Sequence, residues 1–305
     1  MSRVFEALRK GQGEVFQVLL PPLENGAAVE ASPAAPTPAA VLPAVEPVRV
    51  ETLSEPAAPD ILPEMDSVRT LPLLISDRAP LMPFEEEHWR AVEQYRIIRT
   101  KVTNHPKQPR MILISSAGPG DGKSVTAANL AGALALKMDS TVLLVDGDFR
   151  RSTLCSELGL PETPGLSEVL GMGLPLEKAV IRSEQFPNLY VLPAGKAVEN
   201  PTELLDSPQW TALRARLREQ FRYIIVDSPP IGAVADYDLL QAACDGVIMV
   251  LRPDHTNRQS CLKALEILGK EKLLGVVMNC VHSWFLGHSY GYGYSYRRRA
   301  RGSAS

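Results

Sequence analysis

The segment MILISSAGPGDGKSVTAANLAGALA constrains the chain more than any other. It reads as an apolar strand, a glycine-rich turn and an alanine-rich helix. Gly118, Gly120 and Gly122 let the backbone bend its N–H groups inward around a phosphate with no Cβ in the way. Lys123 is placed to reach β- and γ-phosphates, and Ser124 to offer its hydroxyl to Mg²⁺. The N-terminus of the following helix adds favourable partial charge. Pro119, Asp121 and Val125 complete the run expected to hold ATP. Ala117 stands where such loops begin with glycine, a replacement that a negative φ tolerates.

From Arg110 onward short β-rich apolar runs alternate with helical stretches. Strands are expected at Met111–Ser115, Thr141–Asp146, Leu189–Pro193, Tyr223–Asp227, Val247–Leu251 and Leu274–Asn279. Helices are expected at Ser124–Lys137, Pro208–Gln220, Asp236–Ala243 and Asn257–Lys270. Continuous apolar strands separated by helices predict an α/β fold, a mostly parallel sheet sandwiched by helices. Ligands in such sheets bind at the carboxyl ends of the strands. There TVLLVDGD places Asp146 and Asp148, and RYIIVDSPP places Asp227. Carboxylates at strand ends beside a triphosphate supply the hard oxygen ligands that Mg²⁺ takes. A single such aspartate reads as a cap or turn former; three at matching strand ends beside a phosphate loop read as a site.

The rest of the chain divides by composition. Half of the 26 prolines lie between Pro21 and Pro83, which predicts an extended linker without a ladder of its own. Ahead of it, Val4, Phe5 and Leu8 could line one face of a short helix within residues 1–20. Phe84, His88, Ala91, Tyr95, Ile98 and Val102 recur at helical spacing, so the folded domain is expected over 84–281. Residues 282–305, rich in Gly, Ser, Tyr and Arg, predict a disordered tail. With 32 Lys+Arg against 35 Asp+Glu, the chain lacks the positive excess of a nucleic-acid binder, and no nucleic-acid partner is expected. Cys155, Cys244, Cys261 and Cys280 lie far apart, which fits a reducing cytoplasm. No stretch is long and apolar enough to serve as a signal peptide or to span a bilayer.

On these residues the chain resembles the bacterial tyrosine autokinases (BY-kinases) of the cytoplasmic CpsD/CapB type, which act in capsular or exopolysaccharide export. AGPGDGKS resembles their Walker A, VLLVDGDFRRS their Walker A′ and YIIVDSPP their Walker B. NPTELLDS, CDGVIMVLRPDHTNR and LLGVVMNCV resemble further segments, so the likeness runs from about Glu85 to Val281. It implies a P-loop NTPase fold and autophosphorylation with ATP and Mg²⁺. Lys123, Asp146, Asp148 and Asp227 would be catalytic, and Ser124, Asp146 and Asp227 would bind the metal. A phenol, with a pKa near 10, needs a carboxylate to take its proton, either Asp146 or Asp148. Tyr290, Tyr292, Tyr294 and Tyr296 would be the phosphoacceptors. Glu93, Arg96 and Arg99 read locally as an i,i+3 pair on a helix, but the resemblance places them in the interface of a homo-oligomeric ring. It also implies a membrane polysaccharide co-polymerase as activator, holding the chain at the inner face of the membrane. Two other readings share the motifs. One is a partitioning or positioning ATPase, whose signature lysine would stand at Gly118; the other is a non-catalytic ATP-binding scaffold.

Overall fold

The computed structural model describes residues 16–19, 67–74 and 89–281. Among the described residues nine strands form one sheet: β1 (Phe16–Leu19), β2 (Arg69–Leu71), β3 (Met111–Ser116), β4 (Val142–Asp146), β5 (Ile181–Ser183), β6 (Leu189–Leu192), β7 (Tyr223–Asp227), β8 (Gly246–Leu251) and β9 (Leu273–Met278). Their order is β1-β9-β8-β3-β7-β4-β6-β5-β2. All neighbours are parallel except β5 and β6. The helices are α1 (Trp89–Thr103), α2 (Lys123–Ala135), α3 (Leu154–Leu158), α4 (Leu166–Met172), α5 (Leu176–Ala179), α6 (Pro201–Leu205), α7 (Pro208–Gln220), α8 (Ala235–Ala243) and α9 (Arg258–Leu268).

The central strands are apolar on both sides because helices cover both faces of the sheet. Met111 and Leu113 of β3 join one core cluster with Trp210, Leu217, Tyr237 and Leu268 of the helices on that side. Ile112 and Ile114 join the other, with Tyr95, Ile98 and Val102 of α1, Leu130 and Leu134 of α2, and Leu154 of α3. The two-residue period of a strand separates these sets, which is why the runs carry no polar alternation. Small residues line α2 on every side: Ala127, Ala128, Ala131, Ala133 and Ala135 are all buried, so it lies close between α1 and the sheet. Each fully buried Leu, Ile or Phe on these faces contributes about 1.5–3 kcal/mol relative to exposure.

The ten expected central elements form, every end within two residues of its expected place and Tyr223–Asp227 and Pro208–Gln220 unshifted. The expected helix stripe holds where it is described, with Ala91, Tyr95, Ile98 and Val102 buried on α1. Phe84 and His88 lie outside the described residues.

Two expectations about the N-terminal part are corrected. Within the expected helix 1–20, Phe16–Leu19 are instead an edge strand, in register with Gly275–Met278. The β-branched and aromatic run VFQVL suits a strand, and Pro21 and Pro22 follow it. Val4, Phe5 and Leu8 lie outside the described residues. Within the expected linker 21–83, residues 67–74 are docked on the opposite edge. Arg69–Leu71 pair with Ile181–Ser183, and Gln185 holds both the N–H and the carbonyl of Leu73, at 2.9 and 3.2 Å. Leu74 N–H then donates to Leu158 O at 3.0 Å.

Candidate nucleotide and phosphoryl-transfer site

The parallel order β8-β3-β7-β4 brings the carboxyl ends of four strands to one edge of the sheet. The glycine-rich loop follows β3, and in the ladder Asp146 of β4 sits opposite Asp227 of β7. Between them Gly147 donates its N–H to Asp227 O at 2.9 Å, and a Cβ there would come within 2.7 Å of that carbonyl. Only glycine fits, which accounts for the spacing of Asp146 and Asp148.

The loop is held by its own side chains. Gly118 N–H donates to Asp121 Oδ2 at 3.1 Å, and Ser116 Oγ donates to Gly118 O at 2.6 Å. Gly120 and Gly122 take φ values of 80° and 90°, a region favouring glycine. Ala117 has no positive φ, so its replacement of glycine is accommodated. Asp121 faces the protein rather than a ligand, accepting from Thr256 Oγ1 at 2.8 Å with His255 Nδ1 at 3.2 Å. Asn279 Nδ2 donates to Asp121 O at 3.1 Å and packs where a Cβ on Gly122 would collide with it. Asn279 is thus a strut for the loop. The loops after β8 and β9 lock the phosphate loop from behind.

In front of the loop lies a cavity of about 590 Å³, lined by Pro119, Gly120, Gly122, Lys123, Ser124, Val125, Asp148, Arg150, Arg151, Thr153, Glu157, Pro229, Pro230, Ala233 and Val234. Six of the eight residues expected to hold ATP are therefore on its wall; Gly118 and Asp121 act from outside it. Lys123 Nζ lies 3.3 Å from Asp148 Oδ2 and 3.5 Å from Ser124 Oγ. Burial would lower the pKa of Lys123, but the charges of Asp227, Asp148 and Asp146 outweigh it and raise it.

Asp146 and Asp227 are fully buried and do not line the cavity. Asp146 accepts from Ser152 Oγ at 2.6 Å and from Asp148 N–H at 3.1 Å. Burial, reinforced by Asp227, pushes its carboxyl up to about 7. Burial likewise pushes Asp227 up to about 6 against the lowering effect of Lys123. Asp227 Oδ1 has no hydrogen-bond partner among the described residues. A buried carboxylate oxygen left bare beside the Ser124 hydroxyl suits a hard divalent cation, so Ser124, Asp146 and Asp227 fit Mg²⁺, directly or through water.

Sequence reasoning missed three contributors: Asp236, Thr202 and Glu157. Arg150 reaches Asp236 with Nε–Oδ2 at 2.7 Å, and Thr202 Oγ1 donates to Asp236 Oδ1 at 2.7 Å. Burial would raise the Asp236 carboxyl, but these hydrogen bonds outweigh it and hold it below the usual range. The pairing ties the cavity wall to α6 and α8. Glu157 on α3 also faces the cavity, and nothing in the spacing of a five-residue helix marks it. On α1, Arg96 Nη1 lies 3.2 Å from Glu93 Oε2 with both side chains half exposed. Arg99 Nη1 donates to Ala133 O at 3.1 Å, capping α2 within the same chain. Tyr290, Tyr292, Tyr294 and Tyr296 lie outside the described residues.

Residues 109–270 match the AAA domain family model. Tyrosine-protein kinase YwqD of Bacillus subtilis (strain 168) is 40% identical over 191 residues, 61% of this chain and 80% of that protein. Tyrosine-protein kinase CpsD of Streptococcus agalactiae is 34% identical over 193 residues, 62% and 83% of the two chains. Among solved structures, the chimerical protein CapA2B2 superposes with a TM-score of 0.63 at 30% identity, covering 74% of this chain and all (100%) of that one. Fold, phosphate loop and relatives agree: the chain is a nucleotide-binding P-loop enzyme of the bacterial tyrosine-protein kinase (BY-kinase) family, of the CpsD/CapB type.

Proposed function

We propose that the chain is an ATP-dependent tyrosine autokinase that phosphorylates Tyr290, Tyr292, Tyr294 and Tyr296 of a neighbouring copy and thereby regulates capsular or exopolysaccharide polymerisation and export. The supporting observation is the juxtaposition of Lys123, Asp148 and Ser124 on the cavity wall with the bare Oδ1 of buried Asp227. That arrangement suits a nucleotide triphosphate whose charge is shared between a lysine and a divalent cation. ATP is the substrate: Gly120, Gly122 and the start of α2 present N–H groups to its phosphates. Lys123, released from Asp148 as the phosphates enter, offsets the charge that builds on the γ-phosphoryl oxygens. Mg²⁺, held by Ser124, Asp146 and Asp227, would supply charge neutralisation at the β- and γ-phosphates. Asp148 lies beside the same lysine and limits its swing. The open wall near Arg150 and Arg151 leaves an approach for an acceptor chain.

Acceptor tails of this kind must come from a second copy or fold back, and the Glu93, Arg96 and Arg99 surface of α1 is our candidate for the ring contact. No helix among the described residues is long and apolar enough to cross a membrane. A membrane polysaccharide co-polymerase is the proposed activator, placing the chain in the cytoplasm at the membrane's inner face. The test is mass spectrometry of the tail peptide from native cells, comparing wild type with Lys123→Met. Phosphate on Tyr290–Tyr296 that vanishes in the variant is the expected result. A tail unmodified in both, with purified protein still hydrolysing ATP, would indicate a switch ATPase instead.

A further inference from the structure

Three carboxylates could receive the proton of an incoming hydroxyl, and their surroundings differ. Asp146 is buried off the cavity, with both oxygens engaged by Ser152 Oγ and the Asp148 N–H. Asp148 lines the cavity but pairs with Lys123 at 3.3 Å and accepts from Arg151 N–H at 3.1 Å. Glu157 lines the cavity too, and its Oε2 is buried without a hydrogen-bond partner among the described residues. Its position is fixed: α3 is anchored by buried Leu154, Cys155 and Leu158, and Leu158 O accepts from Leu74 N–H at 3.0 Å.

A carboxylate with one oxygen left without a donor keeps its basicity, so a ligand that brings a donor is the natural complement. Phosphate oxygens are anionic and bring none; the hydroxyl of an acceptor tyrosine does. We propose that Glu157 is a further catalytic residue, its carboxylate taking the hydrogen of the attacking tyrosine hydroxyl. The proposal rests on the kinase reading. In the step, the phenol proton passes to the Glu157 carboxylate and a bond forms between the phenol oxygen and the γ-phosphorus. The bond from that phosphorus to the β,γ-bridging oxygen breaks, and ADP leaves with its electron pair. Glu157 then gives its proton to water. Burial, with the charge of Asp227 and against that of Lys123, pushes the free carboxyl up to about 7, where it exchanges protons near neutrality. Asp148, Arg150 and Arg151 are the other charged groups on the same wall.

The test measures single-turnover tail phosphorylation at saturating Mg·ATP in the full chain, with fluorescent-ADP affinity measured beside it. Glu157→Gln should slow transfer by about 100-fold, the lower end for loss of a general base, with nucleotide affinity held within about two-fold. Glu157→Asp, which withdraws the carboxylate by one methylene, should fall between the two. If Glu157→Gln, or Glu157→Asp should the first fail to fold, keeps wild-type speed, the role of Glu157 is overturned while the kinase reading stands. If wild type itself transfers no phosphate to tyrosine, both are overturned.

Discussion

Asp227→Asn should stabilise the metal-free protein while removing its response to Mg²⁺. Asp227 is about 1% exposed, and burial raises its carboxyl from 3.8 to about 6. Each unit corresponds to about 1.4 kcal/mol, so holding the group ionised at pH 7.5 without a cation costs the fold on the order of 3 kcal/mol. Asparagine removes that charge but gives up part of the hydrogen bonding from the Ser124 hydroxyl and the Ser228 N–H, roughly 1–2 kcal/mol. A net gain of about 1–2 kcal/mol remains, which for a domain of this size raises Tm by roughly 2–8 °C. The assay is thermal unfolding at pH 7.5, first in EDTA and then with saturating Mg·ADP. Ligand linkage should lift wild type strongly in the second condition and the variant far less. A variant that melts below wild type in EDTA would refute the reasoning, because the carboxylate would then be an anchor of the fold rather than a charge waiting for a cation.

Four further outcomes are expected. Gly122→Ala meets both a φ of 90° and the Asn279 side chain, so fluorescent-nucleotide affinity should fall by at least about ten-fold from a roughly 1–2 kcal/mol backbone penalty plus displacement of the strut. Gly173→Ala, at a φ of 66° with open space around it, should lower Tm slightly and leave affinity unchanged. Metal-free stability should decline as pH rises from about 5 to 8, because folded Asp146 and Asp227, raised to about 7 and about 6, bind more protons than the unfolded chain over that window. Chemical denaturation across the range in EDTA would show it, and a flat or rising profile would contradict it. Arg96→Ala removes only an exposed pair within α1, so unfolding should shift by less than about 0.5 kcal/mol. If α1 forms the ring, the same variant should sediment as a smaller species.

The legible part of the fold is the part where one physical signal acts alone. Strands β3, β4, β7 and β8 are buried throughout because both faces are covered; β4 and β7 end in carboxylates, β3 ends in serines, and Pro253 follows closely on β8. The strand-turn-helix around Lys123 carries its meaning in glycines that no other residue replaces. Edge strands lack such signals. β1 shows one short apolar run beside two prolines, β2 is three residues within a proline-rich stretch, and β5 is three residues opposed to its neighbour β6. Their pairing comes from tertiary context, from Gly275–Met278 for β1 and from Ile181–Ser183 for β2. The same holds at the site. Asp146, Asp148 and Asp227 announce themselves at strand ends, but Glu157, Asp236 and Thr202 reach the cavity or its wall through folding across long stretches of chain, and no local spacing encodes that.

Asp121 shows how a motif residue can serve the site without touching a ligand. Its side chain takes the Gly118 N–H, the Thr256 hydroxyl and His255, while its carbonyl takes Asn279. Those partners arrive from the ends of β3, β8 and β9, so one buried residue fixes the phosphate loop relative to three strands. Backbone N–H groups aimed at a phosphate work only if they are held before the phosphate arrives, since ordering them afterwards would subtract from binding. The other half of the site lacks that completeness: Asp227 and Glu157 each keep a bare buried oxygen. The loop is preorganised for the nucleotide, and under the proposed function a cation and an acceptor hydroxyl would complete the carboxylates. Under that reading the nucleotide pocket is finished within one chain and the acceptor comes from elsewhere.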